Sequence, residues 1–190
     1  DVAADREELA RLNLIAGTKA RDSAAYASAW RYLSTGLELL QDDCWTTQYA
    51  LTLDLHTIAA EAAYLCMQFE DMDRLIGVVY ENAPSVLDRV RAAEVRMAGY
   101  IAEARNADVM TTALEVLSLL GIKLPEKPSM GHVLMAVLRT KVALLGKSPE
   151  SLADHPAMED ERSLAAMRIM NRIASIAYVV NPNLFPVLVC

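Results

Sequence analysis

Apolar residues return at every third or fourth position through most of this chain, and they do not fall into the two-residue alternation that a half-buried strand needs. That spacing restricts the fold to helices packed on helices. Composition points the same way. Gly and Pro number only seven each, and Ala, Leu, Met, Glu and Arg fill the long intervals between them. A chain of 190 residues also buries enough surface to be stable without disulfides or a structural metal.

The periodicity predicts helices over about 5–18, 23–40, 46–67, 70–82, 85–105, 108–120, 130–145 and 160–180, with a last one starting near Asn181-Pro182. Capping residues fit those bounds. Asp22 or Ser23 is expected to cap the second helix, whose broad apolar face carries Ala25, Tyr26, Ala29, Tyr32, Leu33, Gly36 and Leu40. Gln41-Asp42-Asp43, Ser85 and Asp108 offer oxygens to the next helices, Gly121 is a C-cap, and Ser148-Pro149-Glu150 suits a helix start. Helices joined by short turns must run antiparallel to their neighbours, so the expected unit is the helix hairpin.

The hairpins repeat. With the glycine slot of the tetratricopeptide pattern at Gly17, the next slots fall on Ala20, Ala29, Leu33 and Gly36. A copy displaced by 43 residues uses Ala60, Ala63, Met72, Ile76 and Val79, and closes on Pro84. One displaced by a further 37 uses Met97, Tyr100, Val109, Ala113 and Val116. Both spacings exceed the standard length of about 34 and the tryptophan slot is unfilled, so the repeats are degenerate. The resulting expectation is an all-α, right-handed solenoid of about eight to ten helices, forming a single domain over 1–190. Residues 1–121 would hold the repeats and 122–190 a more irregular continuation.

Charge and cysteine usage exclude several functions. A net charge of -7, with Lys and Arg scattered among acids, disfavours both a nucleic acid and an anionic membrane as partners. Cys44, Cys66 and Cys190 have no metal-binding spacing and fit a reducing, cytoplasmic compartment. No run of about 20 uninterrupted apolar residues is available to span a bilayer. The chain starts at Asp1 without Met and stops on the apolar run Phe185-Pro186-Val187-Leu188-Val189-Cys190, which reads as a segment cut from a longer polypeptide.

Several stretches carry a family resemblance. Asp42-Asp43-Cys44-Trp45, the run 59–65 (AAEAAYL), the run 113–121 (ALEVLSLLG), the run 165–170 (AAMRIM) and Asn183-Leu184-Phe185-Pro186 resemble the helical region of very large bacterial signalling proteins. Those proteins join a serine/threonine kinase-like domain, a signalling ATPase domain and a sensor histidine kinase. The resemblance spans Leu12 to Val189 and implies a scaffold or sensing arm between the ATPase and kinase parts. None of the family's catalytic motifs is here: no phosphate loop, no His-Arg-Asp loop and no phospho-accepting His box. No enzymatic activity, cofactor or metal is therefore expected of this chain.

Few residues carry chemistry. His56 has Asp54 and Glu61 in its helix, but their spacing sends Asp54 and His56 to different faces, so His56 reads as a half-buried structural residue. His132 and His155 have no evident partners, and Cys66 is expected in the core. Most of the nine methionines fall at core spacings, and the mixed charge runs Arg6-Glu7-Glu8, Glu70 to Arg74 and Glu159 to Arg162 read as solvated helix caps. Trp30 and Trp45, with Tyr26, Tyr32 and Tyr49, cluster around the first hairpin and the following turn. Tyr26, Trp30, Trp45 and Tyr49 are the expected partner-binding residues. The expected function is a non-catalytic interaction module whose partner is another domain of the same protein or a peptide. The alternatives are an oligomerisation (homodimer) domain or a small-ligand-sensing helical domain.

Overall fold

The computed structural model describes residues 2–145 and 158–190. His155 and the Ser148-Pro149-Glu150 segment lie outside them. All regular structure among the described residues is helical: α1 (Val2–Asp22), α2 (Tyr26–Glu38), α3 (Cys44–Thr47), α4 (Tyr49–Leu65), α5 (Phe69–Asn82), α6 (Val86–Ala102), α7 (Asn106–Leu119), α8 (Met130–Leu144), α9 (Glu161–Val180) and α10 (Leu184–Val189). No helix among them is long and apolar enough to cross a membrane. The chain divides into two compact units, Asp1–Glu103 and Ala104–Cys190.

In the first unit α1 packs on α2, α2 on α4, α4 on α5, and α6 on both α4 and α5. The turn from α1 to α2 is built by the backbone. Ala24 N–H donates to Arg21 O (2.9 Å) and Ala25 N–H to Ala20 O (2.8 Å), with Ala24 in the left-handed region at φ 58°. The turn from α4 to α5 repeats it: Met67 donates to Tyr64 O (2.9 Å), Gln68 donates to Ala63 O (2.8 Å), and Met67 has φ 61°. Ala104, before α7, has φ 58°. The residues that follow these three, Ala25 (φ -86°, ψ 60°), Gln68 (-97°, 67°) and Arg105 (-84°, 59°), share one conformation and each stands at the N-cap. The left-handed residues are 43 and 37 positions apart, the same displacements that relate the repeat slots. Every repeat slot is buried except Ala20 and Tyr100, which are half-buried, and the closing Pro84, which is exposed.

These turns overturn two expectations: Asp108 does not open α7, which starts at Asn106 after Arg105 with no side-chain cap, and the cap expected for α2 is absent. Neither Asp22 nor Ser23 caps α2; Asp22 ends α1 and accepts from Arg21, and α2 begins after Ala25 with no side-chain cap. The opposite, C-terminal end of α2 is closed by Arg6, which donates to Glu38 O (3.1 Å) and Leu39 O (3.3 Å) and places a cation at the negative pole of the helix. Arg6 is therefore not simply solvated, and neither is Glu7, which accepts from Arg11 and Gln48. The apolar face of α2 is narrower than its sequence suggests: Ala29, Leu33 and Gly36 are buried, while Tyr26 and Tyr32 are exposed.

Small residues set the helix separations. Gly17 of α1 lies against Leu33, and Gly36 of α2 lies against Leu55 of α4 and Asn13 of α1. Around these contacts Leu33, Leu55, Met72 and Ile76 are fully buried, each contributing about 1.5–3 kcal/mol through removal from water. Polar links hold the outer helices: Arg21 pairs with Glu61 (2.7 Å), Tyr49 donates to Asp88 (2.7 Å), and Arg96 pairs with Asp73 (3.3 Å) while lying over the Tyr80 ring.

The helix expected over 46–67 is in fact two. Gln48, at φ -134° and ψ 39°, breaks it into the single turn α3 and the long α4. Thr52 of α4 then donates to Cys44 O (3.2 Å) and ties α3 down.

In the second unit α9 packs on α7 and α10, and α10 on α8. Gly121, at φ 93°, ends α7 as expected, with Ile122 N–H donating to Leu117 O (2.8 Å). Asp160 caps α9 by accepting from Ser163 N–H (2.8 Å), and hydrogen bonds from the Ser163 hydroxyl and then from its N–H hold the carboxyl below the usual range. Ser129 and His132 form a reciprocal capping box at α8, so His132 does have a partner. No residue of α8 is buried: Met130, Leu134, Met135, Leu138 and Val142 are all exposed. This corrects the reading of the methionines as mainly core. Met72, Met97 and Met110 are buried, whereas Met67, Met130, Met135, Met158 and Met167 are exposed.

Candidate functional site

The connector between the first two hairpins does more than join them. It runs from Leu39 through α3, and it makes the first repeat interval six residues longer than the second (43 against 37). Those extra residues form one wall of a cleft of about 600 Å³. From α2 come Trp30, Ser34, Leu37 and Glu38; from the connector Leu40, Gln41, Asp42, Cys44 and Trp45; from α4 His56; and from α5 Arg74 and Leu75. Two indoles thus line the cleft together with three leucines, and Glu38, Asp42 and Arg74 are its exposed ionisable groups.

Trp45 is held in place by its neighbours. Its ring meets the His56 imidazole at 5.1 Å between centroids and the edge of Tyr49 at 5.9 Å. His56 Nδ1 lies 2.8 Å from Thr52 O, a carbonyl that can only accept, so Nδ1 carries the proton and Nε2 is the open acceptor of the neutral ring. Burial holds the imidazole pKa below its ordinary value, and the nearby Arg74 cation adds to this against the opposing Thr52 bond. The ring is therefore neutral near pH 7. Neither carboxylate of its own helix turns to it: Asp54 pairs with Arg91 (3.1 Å) and Glu61 with Arg21.

At the rim, Arg74 is paired with Asp71 (2.7 Å). Glu38 and Asp42 are exposed, and among the described residues their carboxylates take part in no hydrogen bond or ion pair. In the wall, the buried Ser34 Oγ has no hydrogen-bond partner among the described residues.

Of the four aromatic residues singled out in the sequence, the structure brings Trp30 and Trp45 together in the cleft. Tyr49 touches Trp45, but its hydroxyl is committed to Asp88; burial, reinforced by that bond, raises its pKa to about 12. Tyr26 lies elsewhere, in a shallow depression with Ala24, Ser28, Leu65 and Cys66. Cys66 is accordingly half-buried beside that depression rather than in the core, and burial pushes its thiol pKa up, away from nucleophilic use. Sequence reasoning missed Glu38, Asp42, Arg74 and Leu75. A 43-residue displacement places Arg74 opposite Arg31, but only the packing of α2, α4 and α5 brings it to the cleft. No cluster of His, Cys, Asp and Glu among the described residues could hold a metal ion.

No known protein family, curated protein or solved structure matches this chain.

Proposed function

We propose that the chain is a non-catalytic interaction module, a tetratricopeptide-like stack of helix hairpins that holds a polypeptide segment in the cleft between α2 and α5. The observation that carries this reading is that both tryptophans, Trp30 of α2 and Trp45 of α3, line one open cleft between successive hairpins. The repeated left-handed turns at Ala24 and Met67, and the buried small and large slots between them, support the tetratricopeptide-like arrangement. In the large signalling proteins whose helical region the sequence resembles, such a module would relay or gate signals between the ATPase and kinase parts from the cytoplasmic side. Occupation of the cleft would bias the angle between hairpins and so the position of whatever follows them.

The test uses two exposed or half-exposed cleft residues whose replacement costs little stability, Gln41→Ala and Arg74→Ala. If the chain acts within a signalling protein of the kind it resembles, this double variant is expected to alter that protein's signal output while the stability of the chain stays within about 1 kcal/mol of the parent. Unchanged output with an unchanged fold would remove the cleft from the signalling path.

One observation favours a second reading, self-association. The apolar side of α8 is exposed along its whole length, and a second copy of the chain is a natural cover for it. Light scattering would then report a dimer that Leu138→Lys converts to monomer. A monomer at all concentrations would end this reading.

A further inference from the structure

The cleft also constrains what it binds. Its lining includes both indoles, Trp30 and Trp45, together with Leu37, Leu40 and Leu75, so an occupant with an apolar side chain is favoured. The charge at the rim has a definite sign. Arg74 is the cation of the lining, and Asp71 already neutralises it at 2.7 Å. The Glu38 and Asp42 carboxylates form no ion pair among the described residues, Arg6 being engaged with the backbone carbonyls of Glu38 and Leu39, and both are exposed in the lining of the cleft. His56 adds no positive charge near neutral pH and presents Nε2 as an acceptor.

An aromatic groove with uncompensated carboxylates at its edge matches a side chain with an aliphatic stem and a cationic end. The stem of Lys or Arg lies along indole while its head remains in water beside a carboxylate, and the ring faces attract the cation directly. Arginine gains further from its planar fork, which can meet a carboxylate and stack on an indole at once. A neutral segment would gain only the apolar part, and an acidic one would meet the repulsion of both rim carboxylates. The net charge of -7 steers the same class of partner toward the chain from a distance.

Resting on the interaction-module reading above, we infer that the cleft docks a basic amphipathic peptide segment, with an apolar side chain seated against Trp30 and Trp45 and a Lys or Arg on Glu38 and Asp42. Because the chain has only two tryptophans and both line the cleft, occupancy reads out directly as a change in intrinsic tryptophan emission.

The experiment titrates the 190-residue chain with three peptides of about 12 residues that share one pattern of leucines at helical spacing and differ in having Lys, Gln or Glu at every other position. The Lys peptide is expected to shift tryptophan emission and to bind about tenfold more tightly than the Gln peptide, with the advantage shrinking as salt is raised. The double variant Glu38→Gln/Asp42→Asn should lose that advantage. Glu115→Gln/Glu126→Gln, which changes net charge equally at exposed positions of the second unit, should keep it. Circular dichroism confirms that both variants are folded. Equal binding of the Lys and Gln peptides, or equal loss in both double variants, overturns the charge assignment while leaving a peptide-binding cleft. Tighter binding of the Glu peptide overturns it in favour of Arg74 as the anchor. If no peptide changes tryptophan emission and calorimetry detects none bound, peptide docking at this cleft is itself refuted.

Discussion

Gly17 of α1 lies flush against Leu33 of α2: a Cβ on the glycine would stand 2.5 Å from the branching Cγ of the leucine. A clash at a branch point cannot be relieved by rotating a chain end, so α1 and α2 would have to separate. Gly17→Ala is therefore expected to destabilise the chain by about 1–3 kcal/mol, measured as a lower urea midpoint. An unchanged midpoint would mean that the first hairpin is not packed this closely.

Gly77 gives the opposite sign. It sits within α5 with open space where a Cβ would be. Gly77→Ala removes backbone freedom from the unfolded chain at no steric cost and should stabilise by about 0.5–1 kcal/mol.

Met67 is 78% exposed and left-handed at φ 61°, so its side chain contributes little while its backbone is strained. Met67→Gly should raise stability by about 1 kcal/mol in urea unfolding, the reverse of what glycine does within a helix. A loss would show that the turn from α4 to α5 relies on the methionine.

His56 makes the fold acid-sensitive. Its pKa is lowered in the folded state by burial and by Arg74, so between that lowered value and the ordinary 6.5 the unfolded chain binds the extra proton. Its contribution is present above 6.5 and is lost as the pH falls through the folded value. His56→Phe, which keeps a ring beside Trp45, should flatten the decline in stability below pH 6.5. Parallel pH profiles for the two proteins would count against it.

The helices were legible because a 3.6-residue apolar period survives in a chain poor in glycine and proline. Their junctions were less so. The left-handed positions Ala24, Met67 and Ala104 carry none of the glycine or asparagine that marks such a turn, and before the first of them Asp22-Ser23 suggested a cap that the backbone does not use. The break at Gln48 likewise has no glycine or proline to announce it. Trp30 and Trp45 stood out as an aromatic cluster in the sequence, but the rest of the cleft did not: Glu38, His56, Arg74 and Leu75 come from three helices, and nothing local in the sequence tells that they meet. The longer connector, which weakens the repeat pattern in the sequence, is the feature that builds the wall bearing Trp45.

The most direct test of the account is hydrogen exchange on the chain alone and in the presence of the Lys peptide. Engagement of the cleft predicts slower exchange over 37–45, which forms the connector wall, and over 70–78 of α5, with α1 unchanged. Unchanged exchange at both segments, or protection confined to the exposed side of α8, would contradict the cleft as the interaction site and transfer that role to self-association.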